Sequence, residues 1–254
     1  MTAQQSGPEE PRATRISDHL RGDVAVLVPA AGLGTRLGPG LPKALREVAG
    51  APLLLHAVRR LALAPSVGCV IVAAPVGTAQ SVAESLGELP SVRLHVVDGG
   101  PNRQDSVAAA LSAVPEGYPI VLVHDAARAF APPELVERVA AAVRDGHDAV
   151  IPVLPVVDTI KQIDREGYVT ATPERSTLRA VQTPQGFRRS ILERAHRAVA
   201  SLESPSGPAT DDAALVERIG ARVFCVPGST AALKITNPAD LPAAELLAAE
   251  LPIA

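Results

Sequence analysis

A guanidinium at Arg36 and an ammonium at Lys43, both carried by one glycine-rich loop, are the residues best suited to chemistry in this 254-residue sequence. The loop follows the apolar run Val26-Leu-Val-Pro-Ala-Ala and contains Gly32, Gly34 and Gly38. Glycines let backbone N–H groups approach an anion closely. The two cations supply countercharge for a polyphosphate. Together they predict a nucleoside triphosphate site. The alternative is a tight strand-to-helix turn with two solvated cations.

The loop matches neither of two better-known glycine loops. A P-loop requires G-x-x-x-x-G-K-[ST], whereas Lys43 lies between Pro42 and Ala44, with no hydroxyl beside it. A dinucleotide fingerprint requires G-x-G-x-x-G and a later acidic residue for the ribose. Here the glycine spacing is one residue too long, and the next strand, ending at Pro75, delivers no Asp or Glu.

Three further loops carry polar residues at predicted strand ends. The first is Asp98-Gly99-Gly100-Pro-Asn-Arg103-Gln-Asp-Ser106, where the glycines would admit a flat base and a helix start would favour anions. The alternative there is an ordinary turn capped by Asp105 or Ser106. The second is His124-Asp125-Ala-Ala-Arg128. A carboxylate directly after an apolar strand suits Mg²⁺, which prefers hard oxygen ligands, and Arg128 would face an anionic substrate. The alternative is a buried Asp125–Arg128 ion pair. His124 is expected to satisfy a local hydrogen bond rather than move a proton. The third loop runs from Pro155 to Asp158-Thr-Ile-Lys161.

These loops need a frame, and the periodicity predicts one. Strands are expected at 23–30, 68–74, 92–97, 120–124 and 149–153, and helices at 52–64, 78–86, 105–113 and 133–144. This order predicts an α/β fold, a Rossmann-like, mainly parallel sheet with helices on both faces. The rhythm breaks after Pro155. Strands at 156–163 and 168–171 around an Arg165-Glu-Gly turn predict a projecting β-hairpin arm, placed at about 156–172, and arms of this kind often pair with a second subunit. A helix is expected at 188–200, a loop at 204–208, a helix start at Thr210-Asp-Asp with a capping hydroxyl and acidic residues in the first turn, short strands at 222–226 and 232–235, and a final helix capped by Asn237. Residues 1–22 read as a disordered extension and 23–254 as a single domain.

Composition excludes several partners. Hydrophobic residues make up 47% of the chain and net charge is −3, without the basic footprint or aromatic platforms of a nucleic-acid binder. No run approaches the ~20 apolar residues of a membrane span. Cys69 and Cys225 lie in apolar runs and are expected to be buried thiols. A cytoplasmic protein is expected.

Taken in order, the motifs resemble the 2-C-methyl-D-erythritol 4-phosphate cytidylyltransferases. They are Pro29-Ala-Ala-Gly-x-Gly-x-Arg36, Pro42-Lys43, Gly99-Gly100-x-x-Arg103-x-x-Ser106, His124-Asp-Ala-Ala-Arg128, Asp158-Thr159, Arg175, Thr183-Pro-Gln, Thr210-Asp211 and Lys234-Ile-Thr236. The resemblance implies CTP and a polyol phosphate as substrates, Mg²⁺, a homodimer joined by the arm, and in-line attack on the α-phosphorus without an enzyme nucleophile. It implies that Arg36 and Lys43 stabilise the triphosphate. The backbone at Pro29, Ala30, Ala31, Gly32, Gly34, Gly99 and Gly100, with Arg103 and Ser106, would hold the nucleotide. Asp125 would order metal and substrate hydroxyls. Arg128, Thr159 and Lys234 would line the acceptor pocket, and Arg175 and Thr183 would reach its phosphate, with Thr210 nearby. Ala129, Leu37 and Pro101 depart from the usual family pattern. A ribitol 5-phosphate cytidylyltransferase, or a non-catalytic nucleotide-binding relative, would share most of these motifs.

Overall fold

Strand β1 (Val24–Pro29) supplies side chains to two separate cores. The computed structural model describes residues 22–32, 42–90, 92–201 and 209–250. Val24, Val26 and Val28 face one side of the sheet, and Ala25 and Leu27 the other, as the two-residue period of a strand requires. Both sets are fully buried, so both faces must be covered by helices.

A two-stranded hairpin, β2 (Glu47–Val48) and β3 (Ala51–Pro52), precedes α1 (Leu53–Ala62). Then follow β4 (Val67–Ala74), α2 (Ala79–Leu86), β5 (Arg93–Asp98), α3 (Arg103–Ser112), β6 (Ile120–Val123), α4 (Pro133–Arg144) and β7 (Ala149–Pro155). Helices α1 and α4 cover the Val24 face through Leu54, Val58, Val136 and Val139. Helix α3 covers the other through Val107 and Leu111.

The chain adds β4 and then β5 to one side of β1, in parallel, and then places β6 parallel on its other side. The order reverses between β1 and β6. Ligands of open α/β sheets bind in the crevice at such a switch, at the carboxyl ends of the strands. The ends of β1, β5 and β6 are the Pro29–Gly32, Asp98–Gly100 and His124–Arg128 segments, so topology alone brings three of the expected loops together.

The second half departs from simple alternation. After β7 the arm runs out to β8 (Gln162–Ile163) and β9 (Val169–Ala171), an antiparallel pair. Its turn is closed by the Asp164 carboxylate, which accepts from the N–H groups of Glu166 and Tyr168, with Gly167 at φ +94°. The pairing is shorter than the expected 156–163 strand, because β7 itself continues to Pro155 and the ladder resumes only at Gln162.

The chain then re-enters the sheet as β10 (Arg179–Val181) and β11 (Gln185–Arg188), neither expected from sequence. Both run antiparallel to β7, and β11 is inserted between β7 and β6. Gly186 permits this: a Cβ there would lie 2.5 Å from Val139 Cγ1 of α4. Helices α5 (Arg189–Ser201) and α6 (Asp212–Arg218) cover the Leu27 face through Leu192, Leu215 and Val216. Strand β12 (Val223–Pro227) forms the sheet edge beside β7, and α7 (Leu241–Glu250) closes the described chain.

Four sequence expectations are corrected. Residues 232–235 form no strand: Ser229 caps a 3₁₀ turn at Thr230–Ala232. Cys225 is exposed because it lies on the edge strand, whereas Cys69 is buried and burial pushes its thiol up to about 11. Helix α3 starts at Arg103, not 105, capped by Asn102. The α6 cap is Asp211, whose extended backbone lets its carboxylate accept from Ala214 N–H at 2.9 Å, and Thr210 is simply exposed. The N-terminal extension and the 204–208 loop lie outside the described residues.

Candidate active site

The strand ends surround a cavity of ≈ 250 Å³. Its walls include Pro29, Ala30, Ala31 and Gly32 from β1, Gly100, Arg103 and Ser106 from the β5–α3 loop, Asp125 after β6, and the cations Lys43 and Lys234. Of the expected site residues, Gly34 and Arg36 lie outside the described residues.

The short turn Lys43–Leu45 delivers Lys43. Leu45 N–H bonds to Pro42 O at 2.9 Å and Arg46 N–H to Lys43 O at 3.2 Å, while Ala44 is buried in the core. The turn is thus anchored by one side chain and leaves the adjacent lysine at the cavity. Lys234 arrives differently. Ile235 N–H bonds to Ala127 O at 2.9 Å, and the preceding segment is tied down by Gln182, whose amide pairs with both Ser229 N–H and Ser229 O.

The β5–α3 loop is held by its own polar groups. Ser106 Oγ accepts from Gly100 N–H at 3.1 Å and donates to Asn102 O at 2.8 Å. The glycines serve packing as well as ligand access. A Cβ at Gly99 would sit 2.8 Å from Ala31 Cβ and 2.9 Å from Ser106 Oγ. Gly99 therefore stands directly behind the cavity wall and lets the β1 and β5 loops touch.

Asp125 lies at the centre of the charge pattern. Its Oδ1 meets Arg103 Nε at 3.2 Å and its Oδ2 meets Lys234 Nζ at 2.7 Å. Burial opposes its ionisation, but Arg103 and then Lys234 more than offset that and hold its carboxyl well below the usual range. The expected alternative, an Asp125–Arg128 pair, is replaced by these contacts. Arg128 instead donates to Ala232 O at 2.7 Å and Val181 O at 3.1 Å.

His124 is fully buried, and desolvation pulls it down to about 4, so it is neutral at physiological pH. One tautomer satisfies its surroundings. Nε2–H donates to Arg128 O at 3.2 Å, and Nδ1 accepts from Thr183 Oγ at 3.2 Å. Thr183 Oγ in turn accepts from Asp125 N–H at 3.0 Å. Thr183 and His124 therefore fix the backbone that aims Asp125.

Within one chain the structure does not bring Thr159, Arg175 or Thr210 to the cavity. Thr159 is exposed on the arm. Arg175 lines a separate hollow at the arm's base and donates to Val157 O at 2.6 Å. The sequence reading missed Asn102, Gln182 and Asp212. The second Asp of Thr210-Asp-Asp212 offered a signal, but it passes for an ordinary first-turn acid.

The geometry suits binding and charge neutralisation of a polyphosphate beside a carboxylate. No buried Ser or Cys is paired with a base at the cavity among the described residues.

The comparisons with known proteins agree. Residues 24–250 match the family model described as "IspD: 2-C-methyl-D-erythritol 4-phosphate cytidylyltransferase". The chain is 51% identical over 226 residues to the 2-C-methyl-D-erythritol 4-phosphate cytidylyltransferase of Frankia casuarinae, covering 89% of this chain and 81% of the relative. It is 52% identical over 229 residues to that of Saccharopolyspora erythraea, covering 89% and 99%. The crystal structure of the Thermus thermophilus 2-C-methyl-D-erythritol 4-phosphate cytidylyltransferase is similar with a TM-score of 0.70 at 39% identity, covering 89% of this chain and 98% of that one.

Proposed function

The chain belongs to the 2-C-methyl-D-erythritol 4-phosphate cytidylyltransferase family, and we propose how its residues divide the work of that reaction. The enzyme transfers CMP from CTP to 2-C-methyl-D-erythritol 4-phosphate, giving 4-diphosphocytidyl-2-C-methyl-D-erythritol and pyrophosphate, in isoprenoid precursor biosynthesis. A phosphate oxygen of the acceptor forms a bond to the α-phosphorus of CTP. The bond from that phosphorus to the oxygen bridging to the β-phosphate breaks, and its electron pair leaves with pyrophosphate.

The convergence of Lys43, Arg103, Asp125 and Lys234 on one cavity carries the assignment. The Pro29–Gly32 segment, the Gly99–Gly100 loop and Ser106 hold the nucleotide. Lys43 sits against the triphosphate and stabilises charge that develops at the bridging oxygen, and the sequence motif gives Arg36 a share in that countercharge. Asp125 and Lys234 orient the acceptor's hydroxyls. Binding both substrates in line supplies the remaining rate enhancement through proximity.

Asp125 is also the residue that would hold Mg²⁺. It is the carboxylate at the cavity among the described residues, and each of its oxygens retains a lone pair beyond its present ion pair. No group of three or more His, Cys, Asp or Glu among the described residues could hold a metal alone. One carboxylate completed by substrate phosphates is a usual arrangement for this ion, which would neutralise triphosphate charge.

The test is pyrophosphate release from CTP with methylerythritol 4-phosphate or ribitol 5-phosphate as acceptor, with and without EDTA. Turnover is expected with methylerythritol 4-phosphate alone, and only with free Mg²⁺. Turnover with ribitol 5-phosphate instead overturns the acceptor, and turnover in EDTA overturns the metal.

The arm supports a homodimer. Val157, Ile163, Tyr168 and Val169 are each more than half exposed, an apolar surface that a solitary chain leaves in water. Arg175 and Thr159 stand on the same excursion, so in a dimer the arm would offer them to the partner's cavity. Light scattering is expected to give twice the 26.2 kDa chain mass, and Val169→Asp with Tyr168→Asp is expected to shift it toward the single-chain value. A wild-type protein of single-chain mass at micromolar concentration excludes this arrangement. No helix of the described residues is long and apolar enough to cross a membrane.

A further inference from the structure

Behind the cavity lies a carboxylate that the transfer reaction does not touch. Asp212 is the first residue of α6, and its side chain is 1% exposed. A charge so deeply buried needs a partner. Its Oδ2 takes Arg103 Nη1 at 2.7 Å, and its Oδ1 faces His196 Nε2 of α5 at 3.4 Å. Arg103 reaches from this pocket to the cavity, where its Nε meets Asp125. Asp125 then pairs with Lys234. From Asp212 to Lys234, acidic and basic groups alternate, while the facing Asp212 Oδ1 and His196 Nε2 are buried without a hydrogen-bond partner.

The guanidinium is a rigid plate whose direction is set by the carboxylates that grip it. If Asp125 were its only anchor, Arg103 would fold onto that carboxylate and compete with Lys234 and with substrate. Gripped also from behind by a buried group, it keeps one plane at the wall of the cavity. Stabilisation of the α6 start does not explain Asp212, because Asp211 already caps that helix and its second oxygen takes Gln185 Nε2 at 2.7 Å.

We infer that Asp212, backed by His196, is a positioning residue for cytidylyl transfer, aiming Arg103 at the nucleotide while holding it off full engagement with Asp125. This rests on the functional reading above.

The experiment is a double-mutant cycle. Asp212→Asn and His196→Gln are made alone and each together with Arg103→Ala, and KM is measured for each substrate in turn. Asp212→Asn is expected to raise KM for CTP about tenfold with a smaller effect on the acceptor's KM, and His196→Gln to act in the same direction by about two- to threefold. In the Arg103→Ala background neither change is expected to add a further effect. Equal effects of Asp212→Asn with and without Arg103 would make Asp212 merely structural and overturn the inference, as would an unchanged KM for CTP in a folded variant. If Asp212→Asn does not fold, the His196→Gln cycle decides by the same criterion. Calorimetric CTP binding without acceptor repeats the cycle independently of turnover. A wild-type enzyme inactive with methylerythritol 4-phosphate would therefore count against the functional reading and not against this coupling.

Discussion

Lys43→Ala is expected to lower kcat by about 10²- to 10³-fold, the usual consequence of removing one group that stabilises transition-state charge, while the protein keeps its fold. The turn that carries Lys43 is made by the backbone bonds of Leu45 and Arg46 and by burial of Ala44, none of which the substitution removes. Asp240, near the start of α7, feels Lys43 only as its smallest stabilising influence. The backbone N–H groups of Thr236 and Asn237 hold that carboxylate low in either case. The thermal midpoint should therefore move little while turnover collapses. Steady-state kinetics with both substrates varied, beside a melting curve, separates the two effects. A kcat within threefold of wild type would remove Lys43 from the charge-stabilising role, whatever happened to KM.

The positions of Lys43 and Asp125 at the cavity were legible because each lies next to a strong local signal, whereas Lys234 was singled out only by the family resemblance, since the strand expected around it does not form. Asp125 follows four buried apolar residues and the buried His124, and Lys43 follows a buried strand and a glycine-rich stretch of sequence. The β1–β6 frame was legible for the same reason, since a strand buried on both faces is nearly all apolar. Strand β11 gave no such signal. It begins at Gln185-Gly186 directly after a proline, and it is a strand because β6 and β7 leave a slot for it and Gly186 lets α4 lie against it. That is tertiary context overriding propensity. The segment 232–235 failed in the opposite way. Its apolar residues pack individually, Ala232 and Ile235 both being fully buried, without joining a ladder. Arg128 and Asp212 show the limit at the site itself. Sequence spacing placed Arg128 near Asp125, but which acid an arginine meets depends on the helices behind it. In this fold Arg103 takes both Asp125 and Asp212, while Arg128 is left to backbone carbonyls.

Asp125→Asn should be the second large loss, again about 10²- to 10³-fold in kcat by the same reasoning about charged groups at the reacting centre, and it should carry a pH signature. The Asp125 side chain is only 13% exposed and stands between Arg103 and Lys234. Burial alone would raise its pKa, but the two cations depress it below the unfolded value. A depressed carboxyl stabilises the native state fully at any pH above its unfolded pKa, roughly 4, and that contribution is lost as pH falls through the lower folded value. Wild-type protein, without added metal or nucleotide, should therefore lose stability below about pH 4 more steeply than the asparagine variant. Asparagine cannot ionise, so the stability gap between the two proteins should be widest at neutral pH and narrow in acid. Denaturant titrations at closely spaced pH values measure that gap directly. Parallel acid limbs in the two proteins would mean that Asp125 is not the paired carboxylate at the centre of the site. Activity reports the same group differently. Asp125 stays ionised throughout the neutral range, so any loss of turnover between pH 5 and 8 must come from another titrating group or from the substrates, and the acid limb of the kcat profile should be unchanged in position when residual Asp125→Asn activity is followed.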